Sequence, residues 1–240
     1  MQKNTFKNGI KDGLPICFGY LAVSFTFGIF AVASGLTVLE TILISLTNLT
    51  SAGQLAAVPI IAGGGLLVEL ALSQFIINLR YALMSVTLSQ RLAPDVKLRH
   101  RFLISFANTD EIFAVSASKP YLVSKKYMFG LIITPFLGWG LGTALGAILG
   151  DVLPTDIVNA LQLAIYGMFV AIVVPEVKTS KPTALCVLIA MALSCVFYYT
   201  PVLNEVSTGF VIIICAVIAS AVMAILKPID SVKEENHDKT

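Results

Sequence analysis

Seven apolar segments, most of them long enough to cross a lipid bilayer, dominate this sequence. Of its 240 residues, 57% are hydrophobic and 12% are charged, whereas soluble domains carry about 25% charged residues. About 20 apolar residues span the roughly 30 Å of hydrocarbon in a bilayer. We therefore expect an all-α polytopic membrane protein, with one transmembrane domain over residues 1–226 and a polar tail at 227–240. The segments lie at about 14–34, 38–62, 66–90, 127–149, 157–175, 182–200 and 206–226.

Basic residues predict the orientation of these segments. All but one of the 16 Lys and Arg residues fall in four regions: the N-terminal tail, residues 91–126, the connection after the fifth segment, and the C-terminal tail. The exception is Arg80. Because basic connections stay on the cytoplasmic side, all four regions and both termini are predicted to be cytoplasmic.

The number of segments conflicts with this orientation in the first half of the chain. Three segments separate the N-terminal tail from residues 91–126, yet two regions on one side require an even number of crossings. The second segment, 38–62, is interrupted by Thr50-Ser-Ala-Gly-Gln54 and can enter and leave from the same side. Such backbone is tolerated at membrane depth only inside protein or beside a watery cavity. A re-entrant pair of half-helices and an ordinary kinked crossing both remain open.

The third segment contains two residues that are costly at membrane depth, Glu69 and Arg80. They are about three helical turns apart, roughly 16 Å, so they cannot pair with each other. Glu69 either reaches water near the helix start or couples an ion. Arg80 either bonds carbonyls or a carboxylate of the protein, or it meets a substrate carboxylate. Polar residues on two faces of this helix predict that it lies in the middle of the bundle.

A second interruption lies in Ser105-Phe-Ala-Asn-Thr-Asp-Glu-Ile-Phe-Ala114. Thr109 is a suitable N-cap for a helix with Asp110 and Glu111 in its first turn. Alternatively, residues 104–118 form a partial re-entrant helix in which one carboxylate takes up and releases a proton. Polar interruptions in two separate segments, here 50–54 and 108–111, are the pattern of transporter binding sites.

Other patterns narrow the function classes. Gly138, Gly142, Gly146 and Gly150 form a stripe for close helix packing, with a partner either in this chain or in another subunit. Nucleotide-binding and hydrolase motifs are absent, and the four cysteines lie singly in apolar segments. We therefore expect no enzyme activity, no cofactor, no metal site and no nucleic-acid partner.

Four short motifs occur in this order: Gly9-Ile-Lys-Asp-Gly-Leu-Pro15, Ser51-Ala-Gly-Gln54, Asn78-Leu-Arg-Tyr-Ala-Leu83 and Thr109-Asp-Glu-Ile-Phe-Ala114. With the length and segment pattern, they resemble the AzlC family of bacterial branched-chain amino acid permeases. The resemblance implies an inner-membrane exporter that works with a small AzlD-like membrane subunit. Many members have an acidic residue where this chain has Asn78, and a different run where it has Ala52-Gly-Gln-Leu55.

Together these observations predict a transporter of branched-chain or similar apolar amino acids. Apolar neighbours such as Leu55 and Ile77 would receive the aliphatic side chain. A channel for small solutes and a non-transporting membrane scaffold are the alternatives. The expected substrate-binding residues are Ser51, Gly53, Gln54, Asn78 and Arg80, and the expected ion-coupling residues are Asp110, Glu111 and Glu69.

Overall fold

The computed structural model describes residues 4–150 and 177–227 and, between them, residues 153, 154, 156, 160, 167, 170 and 173–175. The chain divides into two compact units, residues 1–169 and 170–240. The first unit contains α1 (Phe6–Ala33), α2 (Val38–Thr47), α3 (Ala52–Ala62), α4 (Leu67–Arg91), α5 (Leu98–Phe106), α6 (Asp110–Ala117) and α7 (Lys125–Leu149). The second contains α8 (Lys181–Tyr199), a 3-10 turn (Leu203–Glu205) and α9 (Thr208–Leu226). The prediction of an all-α polytopic membrane protein is confirmed, and α1, α4, α7, α8 and α9 are long and apolar enough to span a bilayer.

The glycine stripe of α7 packs on α1 of the same chain, which resolves the question of its partner. A Cβ added at Gly138 would lie 2.6 Å from the Cys17 carbonyl oxygen, and one at Gly146 would clash with the Phe25 backbone. Both contacts have an offset of 121 positions (138 minus 17, and 146 minus 25), so the two helices run parallel. Backbone-to-backbone packing of this kind requires residues without side chains.

The ends of α1, α4 and α7 can be assigned to two sides. Near the start of α1, Asp12 accepts hydrogen bonds from Lys119 Nζ at 2.7 Å and from the Tyr127 hydroxyl at 2.6 Å. The carbonyl of Arg91, the last residue of α4, accepts from Val123 N at 2.8 Å, just before α7 begins. We call this side the basic end. Its described basic residues are Lys7, Lys11, Arg91, Lys97, Arg99, Arg101, Lys119, Lys125 and Lys126.

Helices α2 and α3 form a hairpin that enters from the side opposite the basic end. Thr37 caps α2, and Ser45, two turns on, hydrogen-bonds Thr143 of α7 at 2.7 Å. The connection then packs deeper, where Leu49 contacts Trp139. On the way back, Val58 of α3 packs beside Leu36, which precedes α2. The predicted break is confirmed, and the pair returns to the side from which it starts, as the charge pattern favours.

Helices α5 and α6 form a second hairpin, which enters from the basic end. His100 of α5 stacks edge-on against Phe129 near the start of α7, and Phe106 packs beside Phe136 two turns further along. The connection reaches the level of Trp139, where Ala107 is buried. Helix α6 returns towards the Lys119–Asp12 ion pair at the basic end. The partial re-entrant helix expected at 104–118 is therefore the returning half of this hairpin.

Helix α4 differs from expectation. It packs on α3 and α6, but it is not central in the first unit, because a full stripe of its surface is exposed. At 100° per residue, its polar positions cover only about half of the circumference. The other half is an unbroken apolar stripe of the kind that faces lipid or another apolar helix: Val68, Leu72, Phe75, Leu79, Leu83 and Val86.

The second unit is a pair of packed apolar helices. Helix α8 begins with Ser180 as its N-cap and Pro182 in its first turn, and α9 buries Gly209, Cys215 and Ala219. The predicted fifth segment, 157–175, and the predicted polar tail, 227–240, fall almost entirely outside the described residues. That residues 1–226 form a single transporter domain stays a prediction.

Candidate functional site

The tips of the two hairpins meet in the interior of the first unit. Leu49 from the first tip and Ala107 from the second are buried in one cluster with Tyr20 of α1 and Trp139 of α7. The rings of Tyr20 and Trp139 are in edge-to-face contact, with centroids 5.0 Å apart. The interruptions predicted at 50–54 and 108–111 therefore lie around one centre, reached by helices from opposite ends.

The first tip is conformationally strained and rich in polar contacts. Ser51, the N-cap of α3, has φ +49° and makes no side-chain cap bond, so its hydroxyl is not used to close the helix. Backbone in this region is uncommon for a residue with a side chain and persists where the surroundings impose it. Gln54, fully buried, donates from Nε2 to Ser45 Oγ at 2.9 Å and thereby ties α3 to α2.

An amide network joins the first tip to α4. Gln74 Nε2 donates to the Gly53 carbonyl at 2.8 Å, and Gln74 Oε1 accepts from Asn48 at 3.2 Å and from Asn78 at 3.3 Å. A Cβ added at Gly53 would lie 2.6 Å from Gln74 Oε1. The glycine therefore permits the network, and of the predicted site residues Ser51, Gly53 and Asn78 are brought together.

An ion pair joins α4 to the second tip. Arg80 Nη1 lies 2.6 Å from Asp110 Oδ2, and Arg80 Nη2 donates to the Tyr81 hydroxyl at 3.2 Å. Of the two interpretations of Arg80, a carboxylate of the protein is the partner in this conformation. The two side chains are 45% and 46% exposed in the chain by itself, so the pair is not sealed inside the protein.

The second carboxylate of this tip is held by α1. As predicted, Thr109 caps α6, with Asp110 and Glu111 in the first turn. The Tyr20 hydroxyl hydrogen-bonds the Glu111 carboxylate and lies 2.6 Å from Thr109 Oγ1. Adjacent residues of α6 thus have different partners: Asp110 pairs with a cation, and Glu111 pairs with a phenol.

Beside the first tip lies an apolar recess. It is lined by Val23, Phe27, Ser51, Leu55 and Trp139, and in this conformation it is too narrow to admit a water molecule. Four of its five lining residues are apolar, and the fifth contributes a hydroxyl group. Leu55, expected at the site from the sequence, lines the recess.

Glu69 lies apart from these groups. It is 2% exposed, one turn into α4, and its carboxylate lies near Gly65 at the side opposite the basic end. The three turns between Glu69 and Arg80 place it well away from the tips. The structure therefore does not bring this predicted ion-coupling residue to the site.

Sequence reasoning missed Tyr20, Asn48, Asn108 and Trp139. Trp139 is the single tryptophan of the chain and lies within the glycine stripe of α7. A large aromatic residue among glycines could have marked this position as a candidate site residue. Asn48 and Asn108 stand at equivalent places in the two interruptions, each three residues after a serine. Tyr20 lies in an apolar run and gave no signal of its own.

The fold and this centre define a polytopic α-helical membrane protein with a transporter-like role. Residues 15–153 match the model of the AzlC protein family, more than half of the chain. The chain belongs to the AzlC family, a family of membrane permeases.

Relatives agree with this assignment. The chain is 31% identical over 175 residues to an "Uncharacterized membrane protein" of Archaeoglobus fulgidus, covering 72% of this chain and 76% of that one. It is 31% identical over 153 residues to "Inner membrane protein YgaZ" of Escherichia coli K12, covering 61% and 62%. No solved structure matches the chain.

Proposed function

We propose that this chain is a secondary transporter that exports branched-chain or similarly apolar amino acids across the bacterial inner membrane. Export is proton-coupled and involves a small AzlD-like membrane subunit. The observation that carries the proposal is the meeting of two interrupted helices, which enter from opposite ends, at one buried centre. Discontinuous helices at the midplane are how many transporters build a substrate site accessible in turn from each side.

Charged groups at the centre suit the two ends of an amino acid. The Arg80 guanidinium offers a planar pair of donors to a carboxylate, and Asp110 offers oxygens to an ammonium group. Because these side chains neutralise each other when no substrate is bound, a zwitterion that inserts between them replaces one ion pair with two. The N-terminus of α3, beginning at Ala52, adds backbone N–H groups and a positive dipole end.

The apolar recess supports the choice of substrate side chain. Val23, Phe27, Leu55 and Trp139 form an apolar lining that receives one aliphatic side chain when these residues move apart, and Ser51 joins this lining to the polar tip. Burying such a side chain yields roughly 1.5–3 kcal/mol. A charged side chain would be desolvated there without a partner among the lining residues, so the recess favours leucine, isoleucine or valine.

Proton coupling is assigned to the second tip. Either Asp110 or Glu111 takes up the proton, since both lie on the first turn of α6 and face different partners. Protonation of Asp110 would release Arg80 for the substrate carboxylate, and protonation of Glu111 would weaken its bond to Tyr20. The small subunit and the inner-membrane location are inferred from the family resemblance, and the cytoplasmic termini from the charge distribution.

The test is efflux from cells that lack their own branched-chain exporters. These cells are loaded with leucine- or valine-containing dipeptides and express this chain alone or with an AzlD-like subunit. We expect free amino acid to appear outside faster, to saturate with internal concentration and to slow when the proton gradient is collapsed. Flux that never saturates would favour a channel. No flux despite verified insertion of both chains would favour a scaffold.

A further inference from the structure

The tip of the second hairpin contains a buried amide group with no partner. Asn108 is 4% exposed, and in the part of the chain that the structure describes neither its Nδ2 nor its Oδ1 has a hydrogen-bond partner. Buried side-chain amides are nearly always bonded, and each exception calls for an explanation such as a ligand. The Asn108 side chain therefore has both a donor group and an acceptor group available to bind a ligand.

The tip of the first hairpin shows the same residue fully partnered. Asn48 Nδ2 donates to Gln74 Oε1 at 3.2 Å, and Asn48 Oδ1 accepts from the Thr50 hydroxyl at 2.8 Å. The two asparagines belong to matching sequences, Ser45-Leu-Thr-Asn48 and Ser105-Phe-Ala-Asn108, which are 60 positions apart (108 minus 48).

The correspondence extends over the whole of each half. Helices α1 and α4 begin 61 positions apart (67 minus 6), α2 and α5 begin 60 apart (98 minus 38), and α3 and α6 begin 58 apart (110 minus 52). Each half is a long helix followed by a hairpin of two short ones. The long helices run in opposite directions and the hairpins enter from opposite ends, which is the arrangement of an inverted repeat.

The two halves differ in whether the helix after each hairpin provides a hydrogen-bond partner for the asparagine at the hairpin tip. Helix α4 follows the first hairpin and supplies Gln74 to Asn48. Helix α7 follows the second hairpin, and its Ile132, Phe136 and Trp139 belong to or pack against the cluster that contains the neighbouring Ala107. Ile132 and Phe136 cannot hydrogen-bond an amide, and the Trp139 indole N–H is buried without a partner among the described residues.

We propose that residues 6–62 and 67–117 form an inverted structural repeat in which Asn108 binds the α-amino-acid head group of the substrate, with the Trp139 indole N–H as a second donor. This inference rests on the proposed function. Asn108 Nδ2 and Trp139 Nε1 donate to the carboxylate, while Asn108 Oδ1 accepts from the ammonium group. A carboxylate and an ammonium each accommodate several hydrogen bonds, so Arg80 and Asp110 can engage the same substrate.

The experiment uses the full chain, purified in detergent with its small subunit if export requires one. Thermal unfolding is followed with and without leucine, and KM is measured in vesicles. The variants are Asn108→Ala and, as a control of the same residue type at an exposed position of the second unit, Asn204→Ala. We expect leucine to raise the melting temperature of the wild type and of Asn204→Ala.

For Asn108→Ala we expect the leucine-induced rise in melting temperature to vanish. We expect KM to rise roughly tenfold or more, because two hydrogen bonds to the substrate are lost. Without leucine, this variant should melt no lower than the wild type, because the amide it lacks was unsatisfied. A merely structural asparagine would instead lower that melting temperature and leave KM unchanged.

Two results would overturn the inference in different ways. A wild type that responds to leucine, together with an Asn108→Ala variant that responds equally, removes Asn108 from the site and leaves the proposed function standing. A wild type that responds to no aliphatic amino acid, in binding or in transport, overturns the proposed function and this inference with it.

Discussion

Arg80 and Asp110 form a 2.6 Å ion pair that connects α4 with the first turn of α6. The two residues are 30 positions apart in the sequence (110 minus 80), and their contact links α4 to the tip of the second hairpin. Because α4 is long and apolar enough to span a bilayer, the pair neutralises two charges that are costly at membrane depth. Under the proposed function, the same pair offers opposite charges to a zwitterion.

Removal of the Arg80 charge should impair transport through the loss of a substrate contact. We expect Arg80→Gln to lower the export rate at least tenfold when the rate is normalised to the amount of folded protein in the membrane. The matched control is Arg91→Gln, which removes the same charge from the exposed end of the same helix. Equal export by the two variants would contradict a role of Arg80 in substrate binding.

The hairpin formed by α2 and α3 predicts a labelling pattern. In a chain whose four cysteines have been replaced, Glu40→Cys in the first turn of the hairpin and Leu66→Cys after it should react with a membrane-impermeant thiol reagent from the same side. Lys97→Cys, at the basic end, should react only from the other side. A kinked crossing would instead place positions 40 and 66 on opposite sides, which the same experiment detects.

Close packing of α1 and α7 predicts a severe effect of a side chain at Gly146. All three atoms nearest to a Cβ there belong to the Phe25 backbone, which cannot move aside as a side chain can. We expect Gly146→Leu to destabilise the fold by about 3 kcal/mol or more, measured as loss of monodisperse protein on gel filtration. Gly19→Leu on α1, where no atom lies within 4 Å of the added Cβ, should behave like the wild type.

Ser51 combines backbone strain with a hydroxyl at the recess, and two substitutions separate these features. Ser51→Gly relieves the positive φ and should raise the unfolding free energy by about 1 kcal/mol, whereas Ser51→Ala should not. If the hydroxyl contacts substrate, both variants should show the same increase in KM. A rise in KM for only one of them would mean that backbone geometry, not the hydroxyl, determines binding.

The hairpin could be predicted from the sequence because basic residues report the number of crossings between two regions. The break at Thr50–Gln54 and the cap at Thr109 followed from local chemistry in the same way. The partner of the Gly138–Gly150 stripe could not be predicted, because a stripe of small residues specifies close approach and does not say to what. For α4, we predict polar residues on two faces from the sequence, whereas these positions occupy one half of the helix circumference.

Other residues of the site depend on tertiary structure that no local pattern encodes. Tyr20 reaches Glu111 only because α1 and the returning half of the second hairpin are adjacent. Asn108 becomes notable only when its amide is found without a partner, while Asn48, which looks alike in the sequence, is satisfied by Gln74. Which polar groups are bonded is settled by the packing of both halves together.

The parallel pairing of α1 with α7 also has a consequence for biosynthesis. The backbone that contacts Cys17 is synthesised 121 residues later (138 minus 17). At about 5–20 residues per second, the ribosome needs roughly 6–24 s to add these residues. During that interval both hairpins are synthesised, and the face of α1 that finally packs on α7 lies against lipid or other proteins. The yield of correctly assembled protein therefore depends on how quickly one late helix reaches one early helix in the membrane.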